Sequence, residues 1–116
     1  MIGKTMNDVE AIELNIEAAK KLVAKGEALG RLHDNKDFQA LVMEGHFKEE
    51  AARVTQLKAA PHQQDEKSQA SLLKQIDAIG TLFQYFITIE MRAEMARNAI
   101  TDSEEELAAM AEEGVL

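Results

Sequence analysis

Cysteine and tryptophan are absent from this 116-residue sequence, and proline occurs once, at Pro61. Without cysteine the chain has no disulfide and no thiol chemistry, which fits a reducing compartment. A single proline leaves long stretches of the chain open to uninterrupted helix. Only five residues are aromatic, so a core has to be built mainly from aliphatic side chains.

Basic and strongly apolar segments are also scarce. The net charge is -8, and six acidic residues with no basic residue lie between positions 102 and 113. Nucleic-acid binders instead concentrate Lys and Arg on one face, so no direct nucleic-acid partner is expected. The longest apolar runs are a few residues and the N-terminus lacks a signal-peptide core, so we expect no membrane partner and a cytoplasmic protein.

The residues that are abundant, Ala, Glu, Lys, Leu, Gln and Met, favour helix. The sequence predicts a single all-α domain over residues 1–116, with helices at about 7–32, 36–59 and 63–113. In the first helix the apolar residues recur every three or four positions and form one stripe: Val9, Ile12, Ile16, Ala19 and Val23. Gly26 and Gly30 near its end indicate either fraying or close packing against another backbone.

The boundaries of the second helix have clear signals. Asn35 or Asp34 is placed to cap a helix that begins at Lys36 or Asp37. Pro61 cannot donate a helical N–H and restricts the residue before it, so this helix should end near Ala59.

The third predicted helix is too long for the second helix to cover. About 50 residues span about 75 Å, against about 32 Å for the second helix. Its apolar residues repeat at three and four, the spacing of a packing seam: Leu72, Ile76, Ile79, Phe83, Phe86, Ala93, Ile100 and Leu107. We therefore predict a helical hairpin with the first helix packed across it, its core formed by the seam residues from Leu72 to Phe86, and its distal part completed by oligomerisation. The alternative is a break at residues 101–103, where Ser103 and Glu106 match a capping box.

Residues suited to catalysis or metal binding do not form a recognisable motif. His33 and His62 fall in predicted corners, and His46 has neither a second histidine one helical turn away nor a Glu-x-x-His motif. Glu90 and Glu94 lie one turn apart, but no pocket or substrate group accompanies them. We expect no enzyme, no cofactor and no metal; the rival is a metal protein that uses His46 with nearby glutamates such as Glu49 and Glu50.

The distal part of the third helix is the predicted protein interface. Methionine suits an adaptable binding surface, and acidic side chains suit a basic partner. The interface residues predicted from the sequence are Met91, Met95, Ile100, Glu104, Glu105, Leu107 and Met110.

Three stretches resemble small helical proteins encoded by tailed bacteriophages. They are Asp34-Asn35-Lys36-Asp37-Phe38, the run from Glu44 to Arg53, and Gln75 to Gly80 followed by Tyr85-Phe86. The resemblance implies a non-enzymatic virion or virion-assembly protein, located in the cytoplasm of the infected bacterium and in the particle. The expected function is self-association and binding of another protein, such as a virion component. The rival function is that of a small acidic inhibitor or adaptor that binds a host or phage enzyme.

Overall fold

A computed structural model describes residues 6–114 of the chain. These residues form the α-helices α1 (Met6–His33), α2 (Lys36–Phe38), α3 (Ala51–Lys58) and α4 (Glu66–Glu112), with a π-helix at Gln39–Glu50 and a 3-10 turn at Pro61–Gln63. The described part of the chain contains no β-strand. The all-α class and the long C-terminal helix are therefore confirmed.

The chain folds into two compact units. Among the described residues, unit 1 contains 6–28 and 89–114, and unit 2 contains Leu29–Thr88. The sequence predicted one domain. Because α1 and α4 each contribute to both units, neither unit corresponds to a separate set of whole helices.

The core of unit 1 lies between α1 and the distal part of α4. The predicted stripe of α1 is buried at Val9, Ile12, Ile16 and Ala19. Met110 of α4, 1% exposed, packs into the same cluster as the first three. The core of unit 1 therefore forms where the apolar stripes of α1 and α4 pack together, as expected for two amphipathic helices.

The second helical stretch begins where Asn35 caps it, as the sequence predicted. The Asn35 Oδ1 accepts a hydrogen bond from the Phe38 N–H at 2.9 Å, which satisfies one of the free donors of the first turn. After α2 the backbone widens into the π-helix, which the sequence analysis did not predict. The half-buried side chains of Phe38, Val42 and Phe47 are spaced by four and five residues, which suits the wider turn of i→i+5 hydrogen bonding.

The corner before α4 is more structured than predicted. Pro61 starts a 3-10 turn, so α4 begins at Glu66, three residues later than expected. Asp65 caps it, because its carboxylate accepts the Ser68 N–H at 2.9 Å. The Gln69 side chain donates to the carbonyl oxygens of Lys58 at 2.8 Å and Gln63 at 2.7 Å, which fixes the start of α4 to the end of α3 and to the 3-10 turn.

Unit 2 buries the aliphatic residues Leu29, Val54, Leu72 and Ile79, and aromatic contacts lie at its half-exposed surface. The Phe47 ring lies edge-on to the rings of Phe83 and Phe86, with centroid distances of 5.2 Å and 5.8 Å. Phe38 lies 5.8 Å from Phe86. Phe83 is 41% exposed, so its predicted place in the core is wrong: one side of the ring covers Phe47 while much of the remainder faces solvent.

The long helix α4 continues without a break past Thr101. Residues 101–103 are helical, and the Thr101 hydroxyl donates to the Arg97 carbonyl oxygen of the preceding turn at 3.2 Å. The capping box of Ser103 and Glu106 therefore does not start a new helix. Leu72, Ile79 and Ala93 of the predicted seam are buried.

Candidate protein-binding surfaces

Three of the predicted interface residues lie in the core of unit 1. Met110 is 1% exposed, and Ile100 and Leu107 are half-buried against the cluster of Val9, Ile12 and Ile16. The expectation that another chain covers these three positions is corrected, because α1 of the same chain covers them. The prediction compared only the lengths of the second and third helices. It did not consider that α1 could cover the distal part of α4.

The two other predicted apolar residues are strongly exposed. Met91 is 59% exposed and Met95 is 67% exposed. Met95 lines a cleft of about 400 Å³ in unit 1. Exposed methionine at the edge of an apolar cleft is a feature of protein-binding surfaces, because the flexible thioether side chain adapts to a partner.

Small side chains from both helices line this cleft. Ala18 and Ala19 of α1 face Ala96 and Ala99 of α4, and Leu22 extends the apolar wall. Arg92 and Asn15 supply the polar groups of the lining. The floor of alanines leaves room for a side chain from another helix.

A second cleft, of about 650 Å³, lies on α1 and is strongly acidic. Its carboxylates are Glu10, Glu13, Glu17 and Glu104, with Lys20 as the one basic residue in the lining. Leu14, which is 69% exposed, supplies an apolar contact in the middle of the charges. Glu104 is thus the predicted residue that α4 contributes here, while Glu105 is exposed to solvent.

Sequence reasoning missed the α1 half of both clefts. It treated the surface of α1 outside the core stripe as solvated, although Leu14 and Leu22 are large apolar residues outside that stripe. Large apolar residues outside the core stripe of an amphipathic helix were the available signal.

Metal binding finds no support in the described residues. Within residues 6–114, no three His, Cys, Asp or Glu side chains are grouped so that they could hold a metal ion. Near His46, Glu50 is paired instead with Arg53 at 2.6 Å, and this hydrogen bond lowers the pKa of Glu50. None of the helices described combines the length and apolar character that a membrane span requires.

Comparison of the chain with known protein families, with curated proteins and with solved structures finds no match. Its role therefore has to be inferred from the chemistry of its own surfaces.

Proposed function

We propose that this chain is a non-enzymatic assembly protein that associates with copies of itself and with a larger protein. The structural or virion-assembly role in a tailed bacteriophage, implied by the resemblance of residues 34–38, 44–53, 75–80 and 85–86, is the specific form of this proposal. In that form the protein acts in the cytoplasm of the host bacterium and in the particle.

Two exposed methionines of α4, of which Met95 lines the apolar cleft of unit 1, carry this proposal. Met91 and Met95 leave more than half of their surface in water, although burial of a methionine side chain is worth about 1.5–3 kcal/mol. The adjacent cleft offers a floor of alanines on which such side chains can pack. A protein partner is the natural cover for a surface of this kind.

Sedimentation velocity on the wild type and two glutamate variants tests the proposal. Met95→Glu places a charge in the lining of the cleft and should weaken self-association. Leu41→Glu is the matched control, since Leu41 is 74% exposed in unit 2. It changes charge and size in the same way at a freely exposed position outside the cleft.

We expect the wild type and Leu41→Glu to share one concentration-dependent sedimentation coefficient, with Met95→Glu shifted towards the monomer. Far-ultraviolet circular dichroism should show the same helix content in all three proteins. Equal association of the two variants would contradict the placement of the interface, and a monomeric wild type would contradict self-association itself.

The acidic cleft favours a second candidate function, an inhibitor or adaptor that binds a basic surface of an enzyme. Four carboxylates surround the exposed Leu14, which suits a partner helix with lysines around an apolar residue. The simplest probe is a synthetic amphipathic peptide of lysine and leucine.

Calorimetric titration of that peptide checks this second function. Replacing Glu13 and Glu17 with glutamine keeps the side-chain size and removes two of the four carboxylates. Replacing Glu94 and Glu105 with glutamine removes the same charge outside the cleft lining. Weaker binding only for the first pair supports the second function, whereas equal binding by both variants shows a general charge effect and rejects it.

A further inference from the structure

We infer that two copies of the chain pair antiparallel about a two-fold axis through the apolar cleft of unit 1. The surface involved, called the pairing face below, consists of Ala18, Leu22, Met95 and Ala99, with Arg92 and Asp102 at its ends. This inference rests on the proposed self-association and adds its geometry and its register.

The α4 part of the pairing face is one continuous stripe. Arg92, Met95 and Ala99 line the cleft, and Asp102 follows three residues later, so the spacing of three, four and three keeps all of them on one side of the helix. Asp102 lies ten positions after Arg92, so the stripe is about 15 Å long. Its charges therefore sit at opposite ends of an apolar centre.

The α1 helix adds to the positive end. Gly26 packs against Ala93, which brings the exposed Lys25 of α1 to the level of Arg92 on α4. The negative end carries Asp102, the first of the six acidic residues of the C-terminal segment. The pairing face is thus basic at one end and acidic at the other.

We place the two-fold axis at the level of residue 97, midway between positions 92 and 102 and between positions 95 and 99. In this register basic groups lie opposite acidic ones and large side chains lie opposite small ones. Reversal of the second helix places Arg92 opposite Asp102 of the second copy, because the two positions are equally far from the axis. It likewise places Met95 opposite Ala99 of the second copy. Each contact occurs twice, as a two-fold interface requires.

Shape and charge agree in this arrangement. The large, 67% exposed Met95 meets the small side chain of an alanine, so that neither helix is held away by two bulky groups. A parallel arrangement would instead set Arg92 against Arg92 and Met95 against Met95. Like charges directly opposite each other are unfavourable, so the antiparallel register is selected.

The acidic cleft cannot serve as the self-pairing surface. Self-pairing there would bring two sets of the carboxylates of Glu10, Glu13, Glu17 and Glu104 together, with one lysine from each copy to offset them. Repulsion between like charges disfavours that contact. In the pairing face, by contrast, the charges of one copy lie opposite charges of the other sign in an antiparallel second copy.

Two charge-reversal variants and their mixture test the register. Arg92→Glu alone puts two carboxylates opposite each other at both ends of the dimer, and Asp102→Lys alone puts two cations there. Each should lower the association constant about tenfold in low salt, since two exposed ion pairs are lost and replaced by repulsion. In an equimolar mixture, the introduced glutamate of one variant meets the introduced lysine of the other, and the native pair remains at the second end.

The mixture should therefore recover association close to that of the wild type, as heterodimers that native mass spectrometry distinguishes by mass. Glu94→Lys is the control, because its exposed side chain lies on the opposite side of α4 from Arg92. It should associate like the wild type.

The outcomes separate this inference from the proposal beneath it. Weak single variants with a recovered mixture support the pairing face and its antiparallel register. Weak single variants without recovery overturn the register, and wild-type association by every variant overturns the pairing face while self-association stands. A wild type that is monomeric at all concentrations overturns both.

Discussion

Gly26 of α1 lies so close to Ala93 of α4 that a Cβ atom added to the glycine would overlap the Ala93 methyl group. Gly30, one turn further along α1, has no such neighbour within 4 Å. The sequence left close packing and fraying open for both glycines. The structure shows close packing at Gly26, where α1 and α4 approach so closely that no Cβ atom fits between them.

Replacing Gly26 with alanine should destabilise the protein even though alanine favours helix. We expect the free energy of unfolding to fall by about 1–3 kcal/mol, the usual cost of overpacking. Gly30→Ala is the matched control and should raise it by about 0.4–1 kcal/mol, because the unfolded chain becomes less flexible. Urea denaturation measures both changes, and an equal gain from the two substitutions would show that the helices do not touch at Gly26.

Gly45 of the π-helix and Gly80 of α4 form a second pair of glycines for comparison. A Cβ atom added to Gly45 would lie 2.9 Å from the backbone carbonyl oxygen of Ala40, five residues earlier, whereas one added to Gly80 has nothing within 4 Å. Gly45→Ala should therefore lower the free energy of unfolding by about 1–3 kcal/mol or force the segment into an ordinary α-helix. Gly80→Ala should stabilise the protein by up to about 1 kcal/mol.

Urea denaturation and amide hydrogen exchange over Gln39–Glu50 distinguish the two responses at Gly45. Stabilisation by Gly45→Ala with unchanged exchange protection of the segment would contradict the wide helix.

The aromatic contacts of unit 2 should depend on Phe47 more than on Tyr85. Phe47 makes two edge-on ring contacts, each worth about 0.5–1.5 kcal/mol beyond the area buried. Phe47→Leu should therefore cost about 1–3 kcal/mol in thermal or urea unfolding. Tyr85 is 55% exposed, and Tyr85→Leu should change the stability by less than about 0.5 kcal/mol. An equal loss of stability in the two variants would mean that the edge-on ring contacts of Phe47 contribute nothing beyond the apolar area they bury.

The cap at Asp65 predicts a pH dependence. Hydrogen bonds from Ser68 lower the pKa of Asp65 below its ordinary value of 3.8. A carboxyl group with a lowered pKa stabilises the fold fully above its ordinary pKa, and this contribution disappears as the pH falls through the folded pKa. Wild-type protein should thus lose more stability than Asp65→Asn between about pH 5 and pH 2.

Thermal unfolding of the two proteins side by side cancels the titration of the other carboxylates. A constant difference between them across that pH range would show that the ionised cap contributes nothing.

Local signals in the sequence were sufficient to predict the helices, but not which helices pack against each other. The stripe from Val9 to Ala19, the cap at Asn35 and the end before Pro61 depend on neighbours a few residues away, and all three are confirmed. The burial of Met110 depends on α1, which lies near the other end of the sequence. No periodicity within α4 identifies which helix covers it.

For the binding surfaces too, the sequence predicted single residues but not the cleft that two helices form together. Met91 and Met95 were predicted as interface residues from their chemistry, and the structure leaves them exposed. The alanine floor beside Met95 comes from two helices at once. Alanine alone carries no functional signal in a helical sequence, so the cleft becomes visible only when α1 and α4 are placed together.

The solution mass of the wild-type protein, measured by size-exclusion chromatography with light scattering over a wide concentration range, tests the central claim most directly. Self-association predicts a mass that rises from the 12.9 kDa of one chain to at least twice that value, with a stable plateau. A mass that stays at 12.9 kDa up to the highest concentration would contradict the assembly role and leave the acidic cleft as the functional surface.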